Sequence, residues 1–328
     1  MHISICITVF NEERTIGPLL EALLRQTVKP VEIIVVDGGS TDKTVEIIRH
    51  FQKKDRRLKL LREKCSRARG RNLAVEVAKG EIIVMTDAGC LPRPDWLEKI
   101  TQPLIHLGGA KAHPRGVRMD SSGVDIAAGF YRMTYQNSLG KAARFFLGVM
   151  PADFDAGFLP STRSIAFKKT VWEKVGGFDE KLPGAAEDTL FNYKLLKAGK
   201  GISRVKDAVV EWGMPETVSQ FMSKIKNYAK GDAETKIWLF PGKGLASHNI
   251  KALFIFIRYL LGFSFLLLTF YFQLSPIYLF ICLFVYLIRA YRKVYLAFGD
   301  WQTALWGPVL QITSDVAVIG GFASGIIS

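Results

Sequence analysis

The sequence predicts an α/β fold, a mostly parallel doubly wound sheet, followed by C-terminal transmembrane helices. In the first 235 of the 328 residues, short apolar runs rich in Val and Ile alternate with segments of helical periodicity. Uninterrupted apolar runs are typical of strands buried on both faces of a parallel sheet, and short strand–helix–strand repeats favour right-handed crossovers. Beyond residue 250 the pattern changes to long apolar stretches with few charges.

The individual elements follow from this pattern in chain order. An amphipathic helix begins near Ile16, and Leu58–Leu61 is expected at the edge of the sheet. The strands are predicted at Ile3–Val9, Glu32–Val36, Leu58–Leu61, Ile82–Met85 and Ser164–Phe167, with the fourth at the centre. Further helices are predicted from near Lys43, at Ser66–Lys79, Pro92–His106 and Thr170–Val175, and from Glu187 to about Ala198.

Three C-terminal stretches, 252–272, 274–290 and 303–327, are predicted to span a membrane. A helix of about 20 apolar residues covers the ~30 Å hydrocarbon core of a bilayer. Arg289, Arg292 and Lys293 lie near the link before the third stretch, which places that link and the large N-terminal domain in the cytoplasm. The predicted domains are therefore 1–235 and a membrane domain, 236–328. The alternative is that some stretches are buried core helices or lie in the membrane interface.

The composition narrows the class of protein. Hydrophobic residues make up 49% of the chain, and Lys+Arg outnumber Asp+Glu by 44 to 30, which suits a membrane-attached protein that meets anionic lipid or phosphorylated substrates. No basic run interleaved with aromatic residues occurs in the first 230 residues, so nucleic acid is not an expected partner. The four cysteines form no C-x-x-C pair or zinc spacing, which predicts a reduced, cytosolic location for the soluble part.

Two acids follow predicted strands. Asp37 and Asp87 should both open on the crevice at the carboxyl ends of the strands, where open α/β sheets bind ligands. A buried carboxylate there needs a cationic partner, and a divalent metal carrying a nucleoside diphosphate would supply it at Asp87. Cys90 is a poor ligand for such a metal and is interpreted as packing. The alternative for Asp37 is a turn-former before Gly38.

Charged residues at two predicted helix starts are the remaining candidates. Arg67 and Arg71 lie one turn apart, where guanidinium groups favour a phosphate, unless they form a solvated basic face. Asp188, after Glu187, can act as a general base that takes the proton of an acceptor hydroxyl attacking a sugar C1. The alternative is ordinary compensation of the helix dipole by both acids.

These pieces together resemble the family 2 glycosyltransferases of the GT-A fold. The resemblance covers about the first 230 residues, and it rests on the combination of motifs. They are Thr8–Glu12 (TVFNE), Val36–Asp42 (VDGGSTD), Arg71-Asn72, Thr86–Gly89 (TDAG) and Glu187-Asp188.

The resemblance implies roles for particular residues. It implies an inverting transfer with Mg²⁺ or Mn²⁺, in which Asp87 is the first acid of the D-x-D metal motif and Asp188, next to Glu187, is the catalytic base. It further implies a nucleotide site made by Thr8, Asn11, Glu12, Asp37, Arg71 and Asp87. Gly89 departs from the motif, because it stands where the second acid is expected. Residues 226–232 (KNYAKGD) lack the Q-x-x-R-W motif, which argues against a long-polymer synthase.

The predicted function is a membrane-bound inverting glycosyltransferase that moves a sugar from a UDP- or GDP-sugar to a lipid-linked or other hydroxyl acceptor. Its expected location is the cell membrane, in contact with membrane lipids, with several spans and the catalytic domain 1–235 on the cytoplasmic face. The alternatives are a polyprenyl-phosphate glycosyl synthase and a non-catalytic membrane partner of the same fold. A nucleotidyltransferase should carry a Gly-rich, Arg-containing loop after the first strand, and a dinucleotide-dependent oxidoreductase should carry G-x-G-x-x-G; the chain has neither.

Overall fold

The computed structural model describes residues 2–105, 124–148, 150–151, 154–155, 158–181, 186–235, 246–273, 275 and 277–327. These residues fall into two compact units. The sheet unit comprises Met1–Arg132, Pro151–Pro183 and Glu187–Gly213, and the helical unit comprises Met133–Met150, Gly184–Ala186 and Met214–Ser328. The predicted domain boundary after residue 235 stays a prediction.

An eight-stranded mixed sheet forms the centre of the sheet unit. Its strands are β1 (Ile3–Val9), β2 (Glu32–Asp37), β3 (Leu58–Arg62), β4 (Ile82–Met85), β5 (Cys90–Pro92), β6 (Ile126–Thr134), β7 (Ile165–Lys168) and β8 (Ile202–Gly213). They lie in the order β3-β2-β1-β4-β7-β6-β8-β5. The neighbours from β3 to β4 are parallel, whereas β7 is antiparallel to β4 and to β6, and β5 is antiparallel to β8. The predicted α/β class is confirmed.

The register of the strands positions the predicted acids. Val9 on β1 lies beside Asp37 on β2, so both strands end at one edge of the sheet. Met85, the last residue of β4, pairs with Ile165, the first residue of β7. Because β7 runs antiparallel to β4, the segment that enters β7 lies at the same edge as the residues that leave β4.

Helices alternate with many of these strands along the chain and follow the last strand. They are α1 (Ile16–Leu24), α2 (Thr44–Lys54), α3 (Arg67–Val77), α4 (Trp96–Ile105), α5 (Ser138–Leu147), α6 (Lys169–Val175), α7 (Glu187–Lys197), α8 (Val218–Glu234), α9 (Ala246–Tyr271), α10 (Ile277–Phe298) and α11 (Trp301–Ile327). Helix α4 begins four residues later than predicted, because Cys90–Pro92 pairs with β8 as β5. Ser66 caps α3, its Oγ accepting from the backbone N–H of Arg69 at 3.3 Å.

Buried apolar side chains of the strands and of α3 and α7 form the core beneath the site. Ile34, Ile83 and Phe167 are fully buried there, and Phe191 packs on Phe178 with ring centroids 4.3 Å apart. This core fixes the start of α7 relative to the carboxyl ends of β2 and β4.

The helical unit contains two helices, among the described residues, that are long and apolar enough to cross a membrane: Leu253–Tyr271 and Trp301–Ile327. Little of the first helix is buried within the described part of the protein, and about a quarter of the second is. Helix α10, the second of the three predicted spans, continues through Arg289, Arg292 and Lys293 to Phe298. The number of spans therefore stays a prediction.

Candidate active site

Hydrogen bonds join the turn after β1 to the turn after β2. The N–H of Asn11 donates to Ser40 Oγ at 2.9 Å, and the N–H of Thr41 donates to Asn11 Oδ1 at 2.9 Å. The N–H of Glu12 donates to Thr44 Oγ1 at 2.7 Å. Asn11 has φ of 54°, a left-handed conformation that Asn tolerates better than most residues. Asn11 and Glu12, both predicted in the nucleotide site, are thus held in a defined geometry.

Asp37 is completely buried at the end of β2. Its two carboxylate oxygens lie 3.1 and 3.3 Å from the backbone N–H of Ser40, and Arg62 Nε lies 3.5 Å from Oδ2. Thr8, half-buried on β1, packs so closely on α3 that a Cβ at Gly70 would lie 3.1 Å from its methyl group. Asp37 therefore shapes the turn of the predicted nucleotide site.

Arg71 is the centre of a buried cluster of polar side chains. It is 3% exposed, and its Nη1 donates to Glu187 Oε1 at the start of α7. Its Nη2 donates to Asp87 Oδ1 at 3.2 Å, after β4, and to Thr162 Oγ1 at 2.7 Å, before β7. One guanidinium thus brings together two of the predicted acids from separate elements, Asp87 and Glu187.

Asp87 is held in its ionised form. Burial alone would raise the pKa of its carboxyl, but the charges of Arg71, Arg163 and Arg67 outweigh it and bring the pKa below its usual value. The hydroxyl of Thr162 lies 3.4 Å from Oδ2 and favours the same form. The Asp87 side chain is 34% exposed, so an ionised carboxylate remains accessible to a ligand.

The pKa of Asp188 is shifted in the opposite direction from that of Asp87. Burial, and then the charge of Glu187, raise the pKa of Asp188, against the opposing effect of Arg71 and Arg163. Its Oδ1 accepts a hydrogen bond from the N–H of Thr189 at 2.8 Å. A carboxylate that is poorly solvated and near another acid accepts a proton more readily than an ordinary Asp. This property suits a general base.

Asn72, the residue after Arg71, fixes the turn that precedes α7. Its Nδ2 donates to the carbonyl of Phe178 at 2.9 Å, and its Oδ1 accepts from the N–H of Phe178 at 2.9 Å. A Cβ at Gly177 would lie 2.7 Å from Asn72 Oδ1, and Gly177 has φ of 60°, so this close turn requires glycine. Ala186, immediately before α7, has φ of 81°, a strained conformation for a residue with a Cβ.

The sequence reasoning missed Thr162 and Arg163. The guanidinium of Arg163 lies 4.1 Å from the ring centroid of Trp212 on β8 and 5.5 Å from that of Tyr131 on β6. The available signal was the polar triplet Ser161–Arg163 directly before an apolar strand. The rule for parallel sheets considers only residues after strands, whereas the antiparallel direction of β7 brings residues before it to the same edge.

The donor set at Asp87 fits a divalent metal that a diphosphate carries. Mg²⁺ in such sites uses one or two carboxylates, and phosphate oxygens and waters complete its coordination. Asp87 offers one accessible, ionised carboxylate, and Gly89 has open space where the second acid of the motif is expected. Within the described part of the chain, no group of three or more His, Cys, Asp and Glu residues is placed to hold a metal. Asp87 is the described residue that would hold such a metal.

Comparisons with known proteins support this description. The family model described as glycosyl transferase family 2 matches residues 4–143, and the one described as glycosyl transferase family group 2 matches residues 82–292. Glycosyltransferase AglE of Haloferax volcanii is 26% identical over 266 residues, which are 79% of this chain and 81% of that protein.

A second relative comes from Methanococcus voltae and is named dolichyl N-acetyl-alpha-D-glucosaminyl phosphate 3-beta-D-2,3-diacetamido-2,3-dideoxy-beta-D-glucuronosyltransferase. It is 26% identical over 255 residues, 73% of this chain and 77% of that protein. Among solved structures, mannosyltransferase PcManGT from Pyrobaculum calidifontis, in complex with GDP-Man and Mn²⁺, has a TM-score of 0.64 and 20% identity, covering 97% of this chain and 87% of that one. This structural likeness shows the fold. The chain belongs to glycosyl transferase family 2, has the GT-A fold, and is a glycosyltransferase.

Proposed function

We propose that this enzyme transfers a sugar from a nucleotide-sugar donor to a hydroxyl of a lipid-linked acceptor, by direct displacement with inversion at C1. The observation that carries the proposal is the double contact of Arg71. Because one guanidinium bonds to both Asp87 and Glu187, the acid assigned to the donor diphosphate lies close to the helix start that carries the candidate base, Asp188.

Asp188 is the proposed general base. It takes the proton of the acceptor hydroxyl while that oxygen forms a bond to C1 of the sugar. The bond between C1 and the phosphate oxygen breaks, and its electron pair stays on the nucleoside diphosphate. The raised pKa of Asp188 brings it closer to the working pH, which favours proton transfer in the transition state.

Arg71 is the proposed positioning residue. The residue is 3% exposed, and its guanidinium bonds to Asp87, Glu187 and Thr162. It therefore acts on the nucleotide through Asp87 rather than by offering a free cation. The nucleotide is assigned to the joined turns after β1 and β2. Asn11 and Glu12 lie in the first turn, and Thr8 and Asp37 lie near the ends of the two strands.

Asp87 would hold Mg²⁺ or Mn²⁺ together with the diphosphate of the donor. When bound, such a metal neutralises charge on the departing diphosphate. PcManGT was solved with GDP-Man and Mn²⁺, which supports including GDP-sugars with Mn²⁺ among the first donors to test.

The proposed acceptor is lipid-linked because two helices of the chain suit a bilayer. Leu253–Tyr271 exposes nearly all of its apolar side chains, which a membrane would cover. Arg289, Arg292 and Lys293 favour a cytoplasmic position for the start of α11 and for the catalytic domain. The Methanococcus voltae relative is named for a dolichyl-linked sugar phosphate acceptor, which supports a sugar hydroxyl on a lipid carrier.

The test is a panel of labelled UDP- and GDP-sugars incubated with membrane lipid extract, Mn²⁺ and the full-length protein in detergent. We expect one donor to label a lipid, Asp188→Asn to abolish the labelling, and Glu173→Gln, on the exposed surface of α6, to leave it unchanged. Label attached directly to a polyprenyl phosphate would identify a phosphate-acceptor synthase instead. No label in lipid with any donor would overturn the proposed transfer and favour a non-catalytic partner.

A further inference from the structure

Three arginine side chains lie near the acids of the candidate site, and each makes different contacts. Arg71 is buried and bonds to two carboxylates. Arg67 is 56% exposed and lies 3.6 Å from Glu187 Oε1. Arg163 is half-buried and is held by an aromatic face. The aromatic contact restrains the guanidinium of Arg163.

Two buried aromatic rings, which meet edge to face, lie beside Arg163. Its guanidinium lies 4.1 Å from the centroid of Trp212, and its Nη1 donates to Ser161 Oγ at 3.2 Å. Trp212 is 5% exposed, and Tyr131, 7% exposed, meets it edge-on with centroids 5.8 Å apart. Stacking uses the face of a guanidinium, whereas hydrogen bonds to phosphate lie in its plane, so one side chain can do both.

Arg163 also lies at the correct edge of the sheet. It lies two residues before β7, and the first residue of β7 pairs with the last residue of β4, which lies two residues before Asp87. Its charge lowers the pKa of both Asp87 and Asp188, which agrees with a position that faces the two acids. Thr162, the residue before Arg163, lies 3.4 Å from Asp87 Oδ2 through its hydroxyl, so the chain at this point borders the candidate site.

We propose that Arg163 binds the donor diphosphate and stabilises the negative charge that it gains as the C1–oxygen bond breaks. This inference rests on the proposed function, because it names a further residue of the same site. The electron pair of the broken bond stays on the terminal phosphate oxygen, the acceptor oxygen bonds to C1, and the hydroxyl proton goes to Asp188. Since Gly89 leaves Asp87 as the only acid of the motif, the diphosphate needs a second source of positive charge, and an arginine offers paired N–H donors in the geometry of a phosphate.

The test is calorimetric titration of the full-length protein with GDP and UDP, and with GMP and UMP, with and without Mn²⁺. For whichever base binds, we expect Arg163→Gln to weaken binding of the diphosphate at least tenfold and binding of the monophosphate less than threefold. Arg163→Lys, which keeps the charge but not the paired donors, should lie between the two. Arg57→Gln, at a turn before β3 where Arg57 pairs with Asp55, is the control and should match the wild type.

Thermal melting of each variant shows whether it is folded. If Arg163→Gln does not fold, the affinity of Arg163→Lys decides whether Arg163 binds the diphosphate. Diphosphate affinity within twofold of wild type in both variants, or equal losses for diphosphate and monophosphate, overturns the role of Arg163. Binding of neither diphosphate by the wild type overturns it as well. A third outcome is that the Arg163 variants selectively lose diphosphate affinity, but the wild type transfers sugar to no lipid. Arg163 would then remain a diphosphate-binding residue, and the proposed function would fail.

Discussion

The two units of the protein each contain a buried arginine–carboxylate cluster, and the two clusters are satisfied differently. In the helical unit, Asp315 is completely buried and accepts hydrogen bonds from several side chains. The donors are Arg258 Nη2 at 2.5 Å, Gln311 Nε2 at 3.0 Å, Tyr259 Oη at 3.2 Å, and Tyr286 Oη. In this cluster, donors from three helices serve one carboxylate.

In the sheet unit, by contrast, one arginine donates to two carboxylates. Arg71 serves both Asp87 and Glu187, and Glu187 Oε2 is buried without a hydrogen-bond partner among the described residues. Asp188, beside them, has a raised pKa. A fully satisfied cluster fixes helices relative to one another, whereas a cluster with too few donors retains a capacity for ligands and protons. The comparison therefore favours a structural role for Asp315 and agrees with the chemistry proposed for the cluster of Arg71.

The largest expected effect is on catalysis. Asp188→Asn removes the candidate base and keeps the shape of the side chain, so sugar transfer should fall by about 10²–10⁴-fold. Initial rates with the active donor and lipid acceptor measure it, and circular dichroism confirms the fold. Asp315→Asn is the matched control from the other cluster. A rate loss below about threefold for Asp188→Asn would contradict the role of a base.

The next effect is on stability. Arg71→Met leaves Asp87 and Glu187 without their common cation, and breaking a buried pair in this way costs about 3–5 kcal/mol of unfolding free energy. The matched control is Arg69→Met on the same helix, where the partners Glu63 and Glu76 are each more than 40% exposed. Exposed pairs contribute only about 0–1 kcal/mol. Denaturant midpoints of the detergent-purified proteins compare the two, and equal shifts would contradict the assignment of Arg71.

The cluster of Asp315 provides the converse experiment. Asp315→Leu strands the guanidinium of Arg258, but Arg258 is 41% exposed, so the cost should lie near the lower limit for a broken pair, about 3 kcal/mol. Replacing both residues by Leu should recover most of that loss, because a structural ion pair is often replaced by apolar side chains without penalty. The folded double variant should keep its transfer rate. A folded but inactive double variant would show that this cluster takes part in chemistry.

The sequence was sufficient for the parallel half of the sheet. The strands β1, β2, β3 and β4 were all predicted from largely apolar segments. Asp37, expected just after β2, is its last residue, and Asp87 lies two residues after β4 at the same edge of the sheet. Apolar runs mark strands buried on both faces, and the rule for strand ends locates the residues that follow them. This is the part of the molecule in which local pattern and tertiary position agree.

Most of the antiparallel half was not predicted, for physical reasons: β7 was predicted as Ser164–Phe167, whereas β5, β6 and β8 were not. Strand β8 has a partly exposed first half with charged residues, so it forms no apolar run. Strand β6 contains Ala127, Ala128 and Gly129, which have low strand propensity, but a Cβ at Gly129 would lie 2.6 Å from the carbonyl oxygen of Ala208. Close approach of two backbones selects these small residues, and no local pattern reports it. Arg163 and its support, Trp212, depend on this half and were missed with it.

The smallest effect is a pH-dependent difference in stability that separates the two acids of the site. The pKa of Asp188 in the folded state lies above its ordinary value of 3.8. The favourable contribution of Asp188 to the free energy of unfolding is therefore present below pH 3.8 and is lost as the pH rises through the folded-state pKa. The pKa of Asp87 is lowered, so its contribution is present above 3.8 and is lost as the pH falls through the folded-state value.

The test is denaturant unfolding of Asp188→Asn, Asp87→Asn and wild type from neutral pH to below pH 3.8. The free energy of unfolding of each variant is compared with that of the wild type at the same pH, so the contributions of the other titrating groups cancel. At neutral pH, Asp188→Asn should be more stable than wild type and Asp87→Asn less stable, and both differences should shrink as the acids become protonated. The difference for Asp188→Asn should begin to shrink at the higher pH, because Asp188 binds its proton first. If both variants are destabilised at neutral pH, Asp188 is a paired structural acid like Asp315, and the contrast between the two clusters does not hold.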